Sequence, residues 1–430
     1  ALAMKVLCEP IRESYEGNIE AYWKDHKTEG GLMVEMAVEN LIREQFDRLS
    51  DTCPEAYKLL CRMGCFRYQD VPTIPKEGLF SLLWDVPSEQ HVRVVHSLKN
   101  RFLIEFDEGE YFLHPVIRAE AISRLRASEE WENVNSRAAE FWTESFKIID
   151  AKDALRAFEA YRHYHQICDY EKACGIILLV RIVRNPSWCS VEHLGTAFYR
   201  LGLLQQMTFA INELIDKVND DRSLADLYNL LGDLQWRLGN IHKAIEFHDR
   251  CLSISGKLST GNRIVVSHQN IGICKTDLLE IEEATKYFKQ AVSLGLNCEI
   301  GHKAAVYSLA YLAYFSSSAN TPIEKQEAYD LVKKVLEEIP KTPLTMQGRG
   351  YIPLVLGKTY KNLGEVQQSF EMYQAAISFA EESSYTQVKA NALTGLAELY
   401  RLQHNFEAAL SHHLESIDLL DKIGARCDLA

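Results

Sequence analysis

The sequence predicts a predominantly α-helical chain in which a small helical domain with one β-hairpin precedes an α-solenoid. Three observations predict it. Small residues recur at Gly195, Gly232, Gly272, Ala310, Gly357 and Ala397, in steps of 37, 40, 38, 47 and 40 residues, a period that marks stacked helical hairpins. From Glu129 onward apolar residues keep helical spacing. Upstream, the segment from Phe102 to Leu113 alternates as strands do around a glycine-bearing turn, the single hairpin signal in the chain.

The elements follow in order. Residues 2–15 and 18–26 read as helices separated by Glu16-Gly17, and Lys27 to Gly31 reads as a polar turn. Met36, Val38, Leu41, Ile42, Phe46 and Leu49 share one helical face, and Ser50-Asp51-Thr52 supplies capping oxygens for a helix over 54–64. Val71 to Ile74, bounded by prolines, is short and extended; helices near 77–84 and 88–100 follow. Phe102 to Phe106 and Tyr111 to Leu113 flank Asp107-Glu108-Gly109-Glu110, where the glycine accepts positive φ. Three helices followed by a hairpin is the layout of a winged-helix domain, here 31–127. Pro115 suits the first position of the next helix, where its missing N–H is no loss.

Residues 128–220 read as degenerate helical hairpins or linker, and 221–430 as regular ones. Gly232 with Ala244, Gly272 with Ala284, Gly357 with Ser369 and Ala397 with Ala409 lie twelve apart, as do Tyr161 with Ala173 and Gly195 with Met207. Such pairs mark where two helix axes approach to about 8–10 Å. A third small or medium residue follows seven later, at Val180, Cys251, Ala291, Ala376 and Ser416. Gly202, Gly239 and Gly364 fall at the turns, where a left-handed residue is cheapest as glycine. The longest step absorbs an insertion over Ser316 to Pro322, which moves the small residue of that hairpin's second helix to Ala328. About six or seven hairpins are expected, the first two degenerate.

Composition excludes several classes. With Lys+Arg 47 against Asp+Glu 60 the net charge is −13, which disfavours a general affinity for nucleic acid or anionic membrane. The 47% hydrophobic and 25% charged content is that of a folded domain. Eleven cysteines without a Cys-x-x-Cys pair read as reduced thiols in a cytoplasmic protein, and Cys61 and Cys65 as buried small side chains. No metal site is expected: neither His163-x-His165 nor His412-His413 is completed by further ligands. No apolar run reaches the length of a membrane span. The apolar helical pattern at the very start, and a fresh helix beginning at Cys427 to Ala430, read as a piece of something longer.

Leu356-Gly357, Tyr360, Gly364, Tyr373 and Ala376, with Leu231-Gly232, Ala244 and Cys251, resemble the tetratricopeptide repeat, in a longer-helix variant over roughly 150–430. Three front segments resemble the end of the nucleotide-binding module of the signal-transduction ATPases with numerous domains, the class that contains the NB-ARC proteins. Ala1 to Leu7 is similar to the tail of its Gly-Leu-Pro-Leu-Ala motif, so that 1–30 would be the tail of that module's helical subdomain. Gln45-Phe46-Asp47-Arg48-Leu49-Ser50 is similar to the opening of its winged helix, and Leu113-His114-Pro115-Val116-Ile117-Arg118 to its Met-His-Asp motif. The resemblance implies that His114 would contact the β-phosphate of ADP and hold a closed state, with ADP or ATP bound in the full-length protein; Pro115 replaces the motif's aspartate. The alternative is that His114 ends a strand and packs.

The chain is expected not to be an enzyme and to hold no cofactor of its own, because it lacks a Gly-x-x-x-x-Gly-Lys-Ser/Thr loop. Gly357-Lys358-Thr359 comes nearest, but Ile352 stands in the first glycine's place and the triplet falls inside a repeat helix. A protein or peptide ligand is expected in the groove of the array, at polar or aromatic positions of the first helices: Tyr228, Asn229, Gln235, His268, Asn270, Lys275, Tyr307, Lys358, Asn391 and Glu398. The resemblance further implies a sensor that releases a nucleotide module and drives homo-oligomerisation on activation. Two competing readings are a plain repeat scaffold and a DNA reader. The second rests on His91, Arg93, His96, Lys99 and Arg101 in the 88–101 helix, against an acidic wing of Glu105, Asp107, Glu108 and Glu110.

Overall fold

The structure is a computed structural model of the chain and describes Asn18, Glu20 and residues 34–144, 148–185, 188–296, 301–319 and 321–429. Apart from Asn18 and Glu20, the helices and module tail expected over 1–30 lie outside the described residues. Two compact units emerge, one of residues 1–146 with 155–169, the other of 147–154 with 170–430. The stretch read as 128–220 is therefore shared between them.

In the first unit α1 (Val34–Thr52) and α2 (Pro54–Met63) precede β1 (Ile74–Pro75), α3 (Lys76–Ser81) and α4 (Ser88–Asn100). Then come β2 (Glu105–Asp107), β3 (Glu110–Phe112), α5 (Pro115–Ala127), α6 (Trp131–Glu144) and α7 (Ala151–Gln166), whose first turn belongs to the second unit. The expected hairpin forms, with Phe106 opposite Tyr111. Its turn residues Glu108 and Gly109 both take positive φ, 46° and 91°, the two-residue turn whose twist matches paired strands. The proline-bounded segment adds as a third antiparallel strand, Ile74 opposite Tyr111. Phe46, Leu60, Leu98 and Ile117 are among its buried apolar side chains. So is Arg62, whose guanidinium donates to both oxygens of Asp85 (2.6 and 2.9 Å), both of Glu130 (3.0 and 2.8 Å) and the Leu82 carbonyl (2.7 Å). All five of its N–H donors are used, so none is left buried without a partner.

The second unit opens with α8 (Tyr170–Leu178) and then departs from expectation. Where helix was expected throughout, β4 (Val180–Asn185) and β5 (Trp188–His193) form a second antiparallel hairpin, Val180 opposite His193. Val180, assigned to a helix seam, is 62% exposed on a strand. The sequence alternates β-branched residues there, and Asn185-Pro186 is a turn pair; helical periodicity on either side masked both signals.

Helical hairpins follow: α9 (Leu194–Arg200) with α10 (Leu204–Ile215), α11 (Asp221–Arg237) with α12 (Ile241–Lys257), and α13 (Gly261–Asp277) with α14 (Ile281–Gly295). Then come α15 (His302–Ser318) with α16 (Pro322–Glu338), α17 (Met346–Leu363) with α18 (Val366–Ser383), α19 (Thr386–Leu402) with α20 (Phe406–Ile423), and a short α21 (Arg426–Leu429). The insertion after Ala310 does not lengthen the turn as expected: α15 runs eight residues past Ala310, against five past Gly232 and Gly272, and three residues join it to α16 as three join α11 to α12; Ala328 is buried as expected.

The periodic glycines lie at helix crossings. A Cβ on Gly232 would stand 2.5 Å from the His248 ring, on Gly272 2.8 Å from Phe288, and on Gly357 2.6 Å from Tyr373. Each notch thus admits a ring sixteen residues on. The twelve-residue partners Ala244, Ala284 and Ser369 are buried beside it, and Ser369 Oγ donates to the Gly357 carbonyl at 2.8 Å. Gly195 differs, because its notch receives Leu230 of α11 instead of a residue of its own hairpin.

Candidate ligand-binding site in the repeat array

Adjacent first helices are stitched by polar pairs 37 or 41 residues apart. Asn270 Nδ2 donates to Asp233 Oδ1 and to Asn229 Oδ1, both at 3.1 Å, and Arg263 holds Asp226 at 2.5 Å. Trp236 Nε1 donates to Asp277 at 2.5 Å, Asn391 Nδ2 to Asp428 at 3.1 Å, and Lys361 pairs with Glu398. The period of the sequence thereby becomes a period of hydrogen bonds along the inner face.

That face encloses a cavity of about 270 Å³. From α11 it takes Asn229 and Asp233, from α13 Asn262, Val266, Gln269 and Asn270. From α15 come Lys303, Ala304 and Tyr307, and from the start of α17 Met346, Gln347 and Gly348. The unforeseen hairpin contributes Val180, Val191, Glu192 and His193, and α9 contributes Tyr199.

The charges there are set by burial. Asp233 is 6% exposed, and burial pushes its carboxyl up to about 6, against the opposing pull of Arg237. Arg237 donates to Asp233's backbone carbonyl (3.0 Å), not to its carboxylate. Glu192 is already committed, receiving two bonds from buried Arg200 at 2.8 and 2.9 Å. His193 caps α9 through Nδ1, which accepts from Thr196 N–H at 3.2 Å; burial lowers its pKa to about 4, so the ring is neutral with its proton on Nε2.

Of the ten groove positions expected from sequence, Asn229, Asn270 and Tyr307 come together here. The others are placed elsewhere. Tyr228 stacks on Phe247 of its own hairpin and His268 lies against Tyr287 of its own, because their side of the first helix faces the second helix. Gln235 is buried, accepting from Asn240 at 2.9 Å to fasten a turn. Lys275 pairs with Glu280 at 2.5 Å, Asn391 and Glu398 are used in the ladder, and Lys358 is exposed. Sequence reasoning missed Asp233, although an acid inside Leu230-Leu231-Gly232-Asp233-Leu234 breaks an apolar run and was a legible signal. It also missed His193 and Glu192, which ride on the hairpin it did not foresee.

In the first unit His114 ends β3's exit and caps α5, its Nδ1 accepting from Val116 N–H at 3.4 Å, which leaves the proton on Nε2. Of the five basic residues counted on α4 and its end, His91 turns in to the Val86 carbonyl at 2.8 Å, and Lys99 lies over the Phe106 ring at 4.2 Å. Among the described residues no cluster of His, Cys, Asp or Glu is arranged to hold a metal, and no helix is long and apolar enough to cross a membrane.

Residues 223–295 and 352–422 match the family model of the tetratricopeptide repeat. No curated protein matches the chain in sequence. Among solved structures, one similar chain is a signal transduction ATPase with numerous domains bearing a tetratricopeptide repeat sensor, from Pyrococcus horikoshii. It is 16% identical with a TM-score of 0.43, the match covering 94% of this chain and 65% of that one. Another is aspartyl phosphate phosphatase F from Bacillus subtilis, 12% identical with a TM-score of 0.47, over 97% of this chain and 94% of that one. A third is a Rap protein complexed with competence and sporulation factor, 15% identical with a TM-score of 0.45 and 98% of both chains covered. The present chain thus spans less than two thirds of the first of these. What the matched segments and the helix pairing establish is an all-α solenoid containing tetratricopeptide repeats.

Proposed function

We propose that this chain is the regulatory portion of a signal-transduction NTPase, in which the repeat array recognises a protein or peptide ligand and the first unit couples that event to a nucleotide-binding module not contained in these 430 residues. The observation that carries it is the inner cavity, where first helices of several repeats converge polar groups that the packing itself does not consume. Such a surface recognises; it holds no nucleophile with a base and no phosphate loop. The three-stranded sheet with its helices is the framework a winged helix would have. His114 fits the role of a phosphate contact, since its Nε2–H is a donor fixed by the bond at Nδ1. ADP or ATP would be held mainly by the other module, with His114 as this chain's contribution, and activation would proceed through homo-oligomerisation in the cytoplasm.

The test is nucleotide content. The longer protein, purified and denatured, is expected to release ADP in near-stoichiometric amount, and His114→Ala to lower that occupancy while leaving the circular dichroism unchanged. A protein that carries no nucleotide and hydrolyses no ATP overturns the reading. The DNA alternative keeps one observation, the exposed Arg93 and His96 on α4. Anisotropy of labelled duplex DNA at low salt separates the two, since a groove-reading helix would bind tightly and with steep salt dependence.

A further inference from the structure

The cavity's lining holds polar groups that the packing leaves short of partners. Asp233 receives a single hydrogen bond, from Asn270 Nδ2, among the described residues; His248 Nε2 stands 3.8 Å away, beyond bonding reach. A carboxylate accepts about four bonds, so the deficit is of donors. The buried Oδ1 of Asn262 likewise has no donor. The start of α17 lines the same cavity. Thr345 Oγ1 takes the Gly348 N–H at 3.1 Å and the Thr345 carbonyl takes that of Arg349 at 2.9 Å, which leaves the N–H groups of Met346 and Gln347 open. An 18-residue helix carries roughly half a positive charge there, and Lys303 stands at the same cavity. Tyr307, 2% exposed, also lines it, and its hydroxyl makes no hydrogen bond of proper geometry even though Tyr311 is near enough to influence it. Val266 and Ala304 supply apolar wall.

We infer that this cavity binds a small zwitterion, a free α-amino acid or a dipeptide, with its ammonium on Asp233 and its carboxylate at the open N–H groups of α17, Lys303 and Tyr307 lining the same cavity. The inference rests on reading the array as the recognising element and names the ligand class of that same site. A lone anion would meet the uncompensated Asp233 carboxylate, and a lone cation would meet the helix N-terminus and Lys303; only a ligand with both charges satisfies both. At about 270 Å³ the volume falls just below the usual range of small-molecule pockets, which begins at roughly 300 Å³.

The experiment is a thermal-shift and calorimetric screen of the full 430-residue chain against the common amino acids and a set of dipeptides, each paired with its N-acetylated and its C-amidated form. At least one free zwitterion is expected to raise Tm and to bind, and both blocked forms of it to lose that effect. Asp233→Asn should weaken binding by roughly 30-fold or more, the loss seen when one partner of a buried charge pair is removed. Tyr307→Phe, which leaves the packing intact, should weaken it severalfold. Blocked forms that bind as well as free ones, or no response to any member at millimolar concentration, overturn the inference. Those outcomes use wild-type protein, so a misfolded variant does not obscure them. Nucleotide content of the longer protein is independent of the screen: failure there with a zwitterion bound sinks the coupling alone, and the reverse sinks the ligand class alone.

Discussion

His248 is a polar ring buried at an apolar seam of the array. It fills the notch of Gly232, fully buried, with Nδ1 unpartnered, while the equivalent rings in the following hairpins are Phe288 over Gly272 and Tyr373 over Gly357. Burial first, and the Arg237 charge second, lower its pKa to about 3, far below the ordinary histidine value. In the folded chain the ring therefore stays neutral, whereas the unfolded chain takes up a proton as pH falls through about 6.5. The stabilisation is intact above that pH and is lost progressively as pH falls toward 3. His248→Phe should stabilise by about 1–2 kcal/mol at pH 7, by removing an unsatisfied buried nitrogen. The gain should grow by about 2 kcal/mol at pH 5, where the wild type alone suffers the proton penalty. Denaturant midpoints at the two pH values check this; a gain that does not grow on acidification refutes it. Asp233, 3.8 Å away, has the opposite sign, since its raised pKa makes the folded state favour the proton between about 4 and 6. Comparing variant with wild type at each pH isolates the histidine from it.

At the scale of elements, one geometry repeats: the residue seven after each small residue except Ala310 takes left-handed φ. It is Gly202 at 79°, Gly239 at 81°, Leu279 at 61°, Gly364 at 86° and His404 at 59°. Leu279 is 82% exposed, so it contributes little packing, and its Cβ opposes the turn. Leu279→Gly is expected to stabilise by about 1 kcal/mol, read as a higher denaturant midpoint at unchanged slope. A lower midpoint would show that the exposed side chain earns more than its backbone strain. The same register explains what was legible beforehand. Helix spacing and the small residues located every regular hairpin from Asp221 onward, because those positions answer to local sterics that a sequence displays directly. The Glu108-Gly109 turn was legible for the same reason. The β4–β5 hairpin was not, because β-branched residues between two helices satisfy either period until tertiary packing chooses. Groove positions were legible only by type. Which side of a first helix faces inward depends on where its second helix packs, and that separated Asn229 from its neighbour Tyr228.

Across the second unit as a whole, the hydrogen bonds join repeats far apart in sequence. Arg237 on α11 is fully buried and donates to Gln387 Oε1 at 3.0 Å and to the Tyr385 hydroxyl at 3.2 Å, with the Tyr199 ring 3.9 Å from its guanidinium carbon. Arg200 on α9 donates to the Ser383 carbonyl, and Ser190 to the Leu344 carbonyl at 3.0 Å. Gln387 in turn donates to Asp428, and a Cβ on Gly202 would meet Ile423 at 2.6 Å. The array is thus wound tightly enough that its first and last hairpins share a buried polar core. A solenoid coupled only between neighbours loses stability locally when one repeat is damaged. This one should not. Arg237→Met keeps the aliphatic stem but strands the Gln387 oxygen and the Tyr385 hydroxyl, at a cost of about 2–5 kcal/mol. Hydrogen exchange should then quicken in α19, some 150 residues away in sequence, as much as in α11 itself. Faster exchange confined to α11 and the hairpins beside it would mean that the long-range bonds carry no cooperativity. If the expected pattern holds, a ligand bound on α11, α13, α15 and α17 would be felt at the last hairpin without any chain of neighbour-to-neighbour steps, because Arg237 and Asp233 lie on one turn of the same helix.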